Sequence, residues 1–190
     1  MSTVAVVKKG DQIAIAADTA QSADSNLLTA QWVSNHSKLI NCGKAYLGLA
    51  GYAVSQDIIE NVVRSYGKKL LFHDRHAIFD TAHFIHEIMK KDYFLNPTED
   101  KEQPVESSQV DMLIASPTGI FEVESYRTVI EYERYWALGS GKRFAIGAMH
   151  ALYDQLDDAS EIARRGVAAA CAFDDSCAEP IEVQSIQAAC

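Results

Sequence analysis

Apolar residues alternate or cluster over residues 3–18, on both sides of a polar break at Gly10 and Asp11. Alternation of this kind predicts strands, and glycine beside aspartate favours a tight turn. The sequence therefore begins with a predicted β-hairpin, in which Asp18 returns to the neighbourhood of Ser2.

A second hairpin is predicted further along the chain. Residues 38–41 and 45–50 are rich in apolar side chains and flank a short turn at residues 42–44. Residues 22–36, which precede this hairpin, are polar and irregular. Four strands are therefore predicted before the first helix.

Helical spacing follows the second hairpin. Apolar residues recur with a helical period over residues 54–72 and again over residues 78–89. Residues 96–109 contain two prolines and an acidic cluster, which predicts a solvated loop. Neither flank of this loop could build a core alone, so we expect a single domain over residues 1–190.

The second half repeats the strand-then-helix order. Residues 110–116 and 119–126 predict a third hairpin, and residues 135–138 predict a short strand. Helices are predicted over residues 144–156 and 162–173, the latter capped by Asp158 or Ser160, and residues 180–186 return to strand alternation. Two antiparallel strand blocks, each followed by a helix pair, predict an α+β fold, a four-layer αββα sandwich.

Composition narrows the choice of partners. The 190 residues carry a net charge of −9, with a pI near 5.1, which disfavours nucleic acid or an anionic membrane as a partner. The sequence contains neither an apolar run long enough to cross a bilayer nor a signal-peptide core. We expect a cytoplasmic protein.

Residues that could carry out chemistry are spread along the chain in a definite order. Ser2 is a hydroxyl residue at the expected mature N-terminus, and Asp18 follows sixteen positions later. Lys38 begins the second hairpin, and Gly51 ends a segment of small residues at 48–51. A Gly-Ser-Gly turn at 139–141 and an aspartate-rich segment at 173–177 complete the set.

Together these residues resemble the proteasome β-type subunit family, including its small bacterial members such as the bacterial ATP-dependent ring peptidase and the betaproteobacterial proteasome homologue. The resemblance covers nearly the whole chain. It implies an N-terminal nucleophile hydrolase fold, assembled into stacked rings. Fourteen subunits in two rings are the commonest arrangement, with twelve as the alternative.

The resemblance also implies roles for individual residues. The nucleophile is Ser2, the supporting pair is Asp18 and Lys38, the oxyanion-binding amide is that of Gly51, and the α-amine is oriented by Ser140 and Asp174. Two alternatives stay open. Thr3 would be the nucleophile if Ser2 were lost, which shortens the spacing to fifteen, and Asp175 would replace Asp174.

The chemistry of an N-terminal serine follows from its free amine. An α-amine has a pKa of about 7.7–8.0 and accepts the hydroxyl proton near neutral pH, so Met1 must be removed for activity. The small side chain of Ser2 should permit that removal. Asp18 would favour the charged form of Lys38, which makes an electrostatic role for the lysine safer than a role as base.

No metal or other cofactor is expected. His83, His86 and Glu87 share a helical stretch, but their order differs from the His-Glu-x-x-His of zinc peptidases. The four cysteines also lack Cys-x-x-Cys spacing.

The sequence therefore predicts a self-compartmentalising endopeptidase that hydrolyses unfolded polypeptides inside a homo-oligomeric ring. A small-substrate amidase of the same fold is one alternative, and a catalytically silent ring scaffold that retains Met1 is another. The chain has no ATPase motif, so an unfolding ATPase would have to be a separate partner.

Overall fold

The opening hairpin is present in the computed structural model, which describes residues 2–23, 26–96 and 103–189. Strands β1 (Thr3–Lys9) and β2 (Gln12–Asp18) pair antiparallel, with Val4 opposite Ala17 and Lys9 opposite Gln12. Gly10 has a φ of 59°, which glycine adopts without the steric cost of a Cβ. This register brings the end of β2 back to the start of β1.

The remaining elements follow in the predicted strand-then-helix order. The other strands are β3 (Gln21–Ala23), β4 (Asn26–Leu28), β5 (Leu39–Asn41), β6 (Tyr46–Ala50), β7 (Asp111–Ser116), β8 (Gly119–Val123), β9 (Val129–Tyr132), β10 (Tyr135–Gly139) and β11 (Ile181–Gln187). The helices are α1 (Ala53–Tyr66), α2 (Arg75–Asp92), α3 (Lys142–Leu152) and α4 (Ala159–Phe173), with a 3₁₀ turn at Gly67–Lys69.

Two antiparallel sheets form the middle of the molecule. One has the strand order β10-β1-β2-β11 and the other β5-β6-β7-β8-β9. Helices α3 and α4 cover the outer face of the first sheet, and α1 and α2 cover the outer face of the second. A third apolar cluster lies between the sheets. The predicted αββα sandwich is confirmed.

Burial on both faces explains the apolar composition of β2. Ala14 and Ala16 face α3 and α4, whereas Ile13, Ile15 and Ala17 face the second sheet, and all five are fully buried. Successive side chains of a strand point to opposite faces, so a strand between two apolar layers needs apolar residues at every position. The site residue Asp18 ends this strand.

The structure differs from the sequence prediction in three places. The polar segment 22–36 contains part of a small separate hairpin formed by β3 and β4, which has three residues in each strand. The second sheet has an additional strand, β9, paired with β8. The helix predicted over residues 54–72 ends at Tyr66, because the 3₁₀ turn interrupts it.

Three further expectations concern the start of α4, the acidic loop and membrane-spanning helices. Asp158 caps α4, since its carboxylate accepts hydrogen bonds from the backbone amides of Ser160 and Glu161. Residues 97–102 of the predicted acidic loop lie outside the described residues. Within the described part of the chain, no helix is both long and apolar enough to cross a membrane.

Candidate active site

Asp18 is the fully buried centre of the site. Its Oδ1 accepts hydrogen bonds from Lys38 Nζ at 2.8 Å and from the backbone amide of Thr3 at 2.8 Å. Its Oδ2 accepts from the amides of Ala20 at 3.1 Å and Ala178 at 3.4 Å. Four donors therefore stabilise one carboxylate, and the Lys38 ammonium is held in a fixed position at the start of β5.

Ser2 directly precedes β1 and is held by its backbone. The carbonyl oxygen of Ser2 accepts a hydrogen bond from the amide of Ser140 at 3.0 Å, and the Ser140 hydroxyl donates to Asp174 Oδ1 at 3.2 Å. Ser2 is buried, with 8% of the residue exposed, and it lines a cavity. The turn after β10 thus connects Ser2 to Asp174.

Gly139 is required for this close approach. It has a φ of 92°, and a Cβ placed on it would lie 1.7 Å from the carbonyl oxygen of Ser2. Both the backbone angle and the missing side chain therefore allow β10 to end against Ser2.

We expect Gly139→Ala to lower the free energy of unfolding by about 2–5 kcal/mol, because it adds backbone strain to a clash with main-chain atoms. Chemical denaturation measures the change. Gly147→Ala is the matched control: Gly147 lies in α3 with no atom within 4 Å of an added Cβ, so alanine should be neutral or stabilising there. Equal stabilities of the two variants would contradict the assigned role of Gly139.

The two candidate aspartates have different contacts. Asp174 accepts hydrogen bonds from the Ser140 hydroxyl at 3.2 Å and from the Ser176 amide at 2.9 Å. Asp175 accepts from the Ser176 hydroxyl at 3.0 Å. Of the two, Asp174 is therefore the residue that is linked to Ser140 and through it to Ser2.

Thr3, the alternative nucleophile, is fully buried inside β1. Its amide donates to Asp18, and its hydroxyl oxygen lies 3.0 Å from Cys177 Sγ. Burial raises the pKa of the Cys177 thiol to about 11, so the thiol stays protonated at neutral pH. A Cβ on Gly141 would lie 2.4 Å from the Thr3 hydroxyl oxygen, which shows how closely this side chain is enclosed.

Two contacts of the site were missed by sequence reasoning. The amide of Ala178 reaches Asp18, and the thiol of Cys177 reaches Thr3, although both residues lie about 160 positions or more from their partners. They depend on the pairing of β11 with β2, in which Ile181 is opposite Asp18. No local sequence pattern encodes that register, so the sequence indicated the segment 173–177, which contains Cys177, but not these two contacts.

Gly51 lies between β6 and α1 and lines the same cavity as Ser2. It has a φ of 144°, in a region that favours glycine. Helix α1 begins two residues later, and its N-cap residue Tyr52 makes no side-chain capping hydrogen bond. The first turn of α1 contains no acidic residue, so no carboxylate of that turn offsets the positive end of the helix dipole.

The cavity has a volume of about 380 Å³. Ser2, Lys38, Gly51 and the first turns of α1 all line it. The structure therefore brings a serine, a lysine paired with a buried carboxylate, and a glycine from three separate strand ends to one concave surface. An arrangement of this kind suits attack on a carbonyl group and stabilisation of the resulting oxyanion.

The histidine stretch on α2 has a different environment. His86 is buried, with Nε2 2.9 Å from Glu106 Oε1 and Nδ1 2.9 Å from the Ser108 hydroxyl, whereas His83 and Glu87 are exposed. Within the described ranges 2–23, 26–96 and 103–189, no group of three His, Cys, Asp or Glu side chains is placed to hold a metal.

Comparison with solved structures places this fold in a known class. The chain superimposes on the BPH protein of Thiobacillus denitrificans with a TM-score of 0.91 and 36% identity, over 98% of each chain. The complex of that BPH with epoxomicin gives the same score and identity, over 98% of this chain and 99% of the other. Eukaryotic HslV from Trypanosoma brucei matches with a TM-score of 0.68 and 21% identity, over 97% and 99%, which shows a shared fold.

The αββα sandwich is thus that of the N-terminal nucleophile hydrolases, the class that contains compartmentalising peptidases of the proteasome and HslV type. The identity and near-complete coverage show more than the class: the chain belongs to the proteasome β-type subunit family. No family model and no curated protein matches the chain.

Proposed function

We propose that this protein is an N-terminal nucleophile endopeptidase, with Ser2 as the nucleophile once Met1 has been removed. The observation that carries the proposal is that Ser2, Lys38 and Gly51 line one cavity, and that the Asp18 carboxylate binds both Lys38 and the amide of Thr3, the residue after Ser2. The binding of epoxomicin by the related BPH supports a ligand site in this fold.

The first step is attack of the Ser2 hydroxyl oxygen on a substrate carbonyl carbon. The free α-amine of Ser2 accepts the hydroxyl proton, directly or through a water molecule. The Lys38 ammonium, fixed by Asp18, favours the deprotonated hydroxyl through its positive charge. Asp18 cannot itself serve as the base, because its oxygens already accept four hydrogen bonds.

Gly51 and the start of α1, which line the same cavity, stabilise the oxyanion that forms in this step. The backbone amide of Gly51 donates to it, and the positive end of α1 adds a favourable field. The amine proton then passes to the leaving nitrogen, the peptide bond breaks, and an acyl ester remains on Ser2. Water hydrolyses that ester and restores the free hydroxyl.

Ser140 and Asp174 orient the N-terminus for these proton transfers. The amide of Ser140 donates to the Ser2 carbonyl, and the hydroxyl of Ser140 donates to Asp174. Ser140 therefore links a carboxylate to the residue that bears the α-amine. Serine lacks the methyl group that restricts χ1 of threonine, so its hydroxyl is less preorganised. We therefore expect slower turnover than a threonine at this position would give.

We further propose that the protein works as a homo-oligomeric double ring on unfolded polypeptides. Two rings of seven are the arrangement to test first, and two rings of six the alternative. A ring encloses the cavities of all subunits, so access would require an unfolded chain and, for folded substrates, a separate ATPase.

Hydrolysis assays on the processed assembly test this function. We expect cleavage of fluorescein-labelled casein, which is unfolded, and little cleavage of an equally labelled folded lysozyme. Native mass spectrometry should give a multiple of the 20.9 kDa chain that fits a double ring. Cleavage of small amides alone would indicate an amidase, and a ring without any hydrolysis would indicate a scaffold.

A further inference from the structure

Acidic side chains outnumber basic ones among the described residues that line the cavity beside Ser2. Three charged side chains line its volume of about 380 Å³, namely Lys38, Asp57 and Glu60. The Lys38 ammonium lies 2.8 Å from Asp18 Oδ1, so its positive charge is balanced from behind the cavity. Asp57 and Glu60 therefore set the sign of the charge that a bound side chain meets.

Asp57 and Glu60 lie three residues apart on α1, so they project from the same face of the helix. Glu60 Oε1 accepts a hydrogen bond from the uncharged Gln56 amide at 2.7 Å, which orients the carboxylate without neutralising it. Over the described residues, neither acidic side chain has an ion-pair partner within 4.0 Å. Both negative charges are therefore available to a ligand.

Small residues also line this cavity, and their short side chains leave room for a ligand. Ala20, Ala50 and Ala53 line it, together with the apolar side chain of Leu49. Such walls accommodate an unbranched aliphatic stem, while the acidic pair on α1 suits a positively charged end. Lysine and arginine combine a stem and a head of this kind.

The position of the cavity fixes which substrate residue would enter it. The attacked carbonyl must lie between the Ser2 hydroxyl and the Gly51 amide, and both residues line this same cavity. The residue that precedes the scissile bond contributes that carbonyl, so we assign its side chain to the cavity.

We propose that Asp57 and Glu60 are specificity residues that select lysine or arginine immediately before the scissile bond. The proposal rests on the function proposed above and names its substrate class: basic sites in unfolded polypeptides. Charge-assisted hydrogen bonds from the ammonium or guanidinium to the two carboxylates supply the selectivity, and guanidinium can bind a carboxylate through two parallel bonds.

A matched set of peptide substrates tests this proposal on the processed assembly. The peptides share one sequence and one fluorescent leaving group and differ only in the residue before it: arginine, lysine, leucine or glutamate. We expect kcat/KM for arginine to exceed that for leucine about tenfold, with glutamate the poorest. Higher ionic strength should lower the arginine rate and leave the leucine rate nearly unchanged.

Charge-neutral variants then test whether Asp57 and Glu60 cause the preference for basic residues. Asp57→Asn and Glu60→Gln keep the side-chain size, and together they should lower the arginine-to-leucine ratio about tenfold while leucine hydrolysis persists. Asp80→Asn, an exposed position on α2 outside the cavity lining, makes the same charge change as Asp57→Asn and should leave the ratio unchanged.

Three results would overturn the inference, and they are distinguishable. A wild-type preference for leucine or glutamate, or an unchanged ratio in the double variant, would contradict the role of α1 while leaving the peptidase function intact. Hydrolysis of none of the four peptides by an assembly with a free Ser2 would contradict the proposed function itself.

Discussion

Replacing Ser2 with alanine is expected to lower kcat/KM by about 10⁴-fold or more, because the variant keeps the α-amine and the cavity but has no hydroxyl to attack the substrate. Peptide hydrolysis and labelling by an inactivator of N-terminal nucleophiles measure the loss. Ser2 packs at the cavity wall, so the fold and the ring should remain intact in this variant.

Ser2→Thr is the matched control for this change. It retains a hydroxyl at the same position and adds a methyl group that restricts χ1, so activity should persist or rise. If Ser2→Ala kept its activity and Thr3→Ala lost it, the nucleophile would be Thr3, and the sixteen-residue spacing would not mark the site.

Replacing Asp18 with asparagine is expected to cost about 3–5 kcal/mol of folding free energy, together with nearly all activity. The change leaves the buried Lys38 ammonium without a counter-charge, and it turns an amide donor toward backbone amides that are donors themselves. Urea denaturation of the variant and of the wild type measures the difference.

Lys38→Met separates stability from catalysis at the same pair. Asp18 would keep three backbone donors after this change, so we expect a smaller loss of stability than for Asp18→Asn. Activity should nevertheless fall by about 10²–10³-fold, because the charge that favours the Ser2 alkoxide is gone. A Lys38→Met variant with normal kcat/KM would contradict the electrostatic role assigned to the lysine.

Local sequence patterns predict much of the fold of this chain. The alternation around Gly10 predicts the first hairpin, and the spacing of sixteen positions from Ser2 to Asp18 is that of one strand pair that returns to its start. The helical periods predict α1 to α4, and the cap at Asp158 predicts the start of α4. These features depend on neighbours in the sequence, which is why the sequence reveals them.

The features that sequence reasoning missed depend on distant pairing. Strand β9 is recognisable only through its ladder with β8, and the hairpin of β3 and β4 is too short and polar to show clear alternation. The Ala178 amide reaches Asp18 only because β11 pairs with β2. The depth and charge of the cavity likewise require knowing where α1 lies relative to Ser2.

The N-terminus of the protein from its own host tests the central claim most directly. Intact mass spectrometry, combined with labelling by an inactivator of N-terminal nucleophiles, should show loss of Met1 and labelling that disappears in Ser2→Ala. Epoxomicin is the first compound to use, since the related BPH binds it. A chain that keeps Met1 and takes no label would contradict the account, and would leave a proteasome-type fold without peptidase activity.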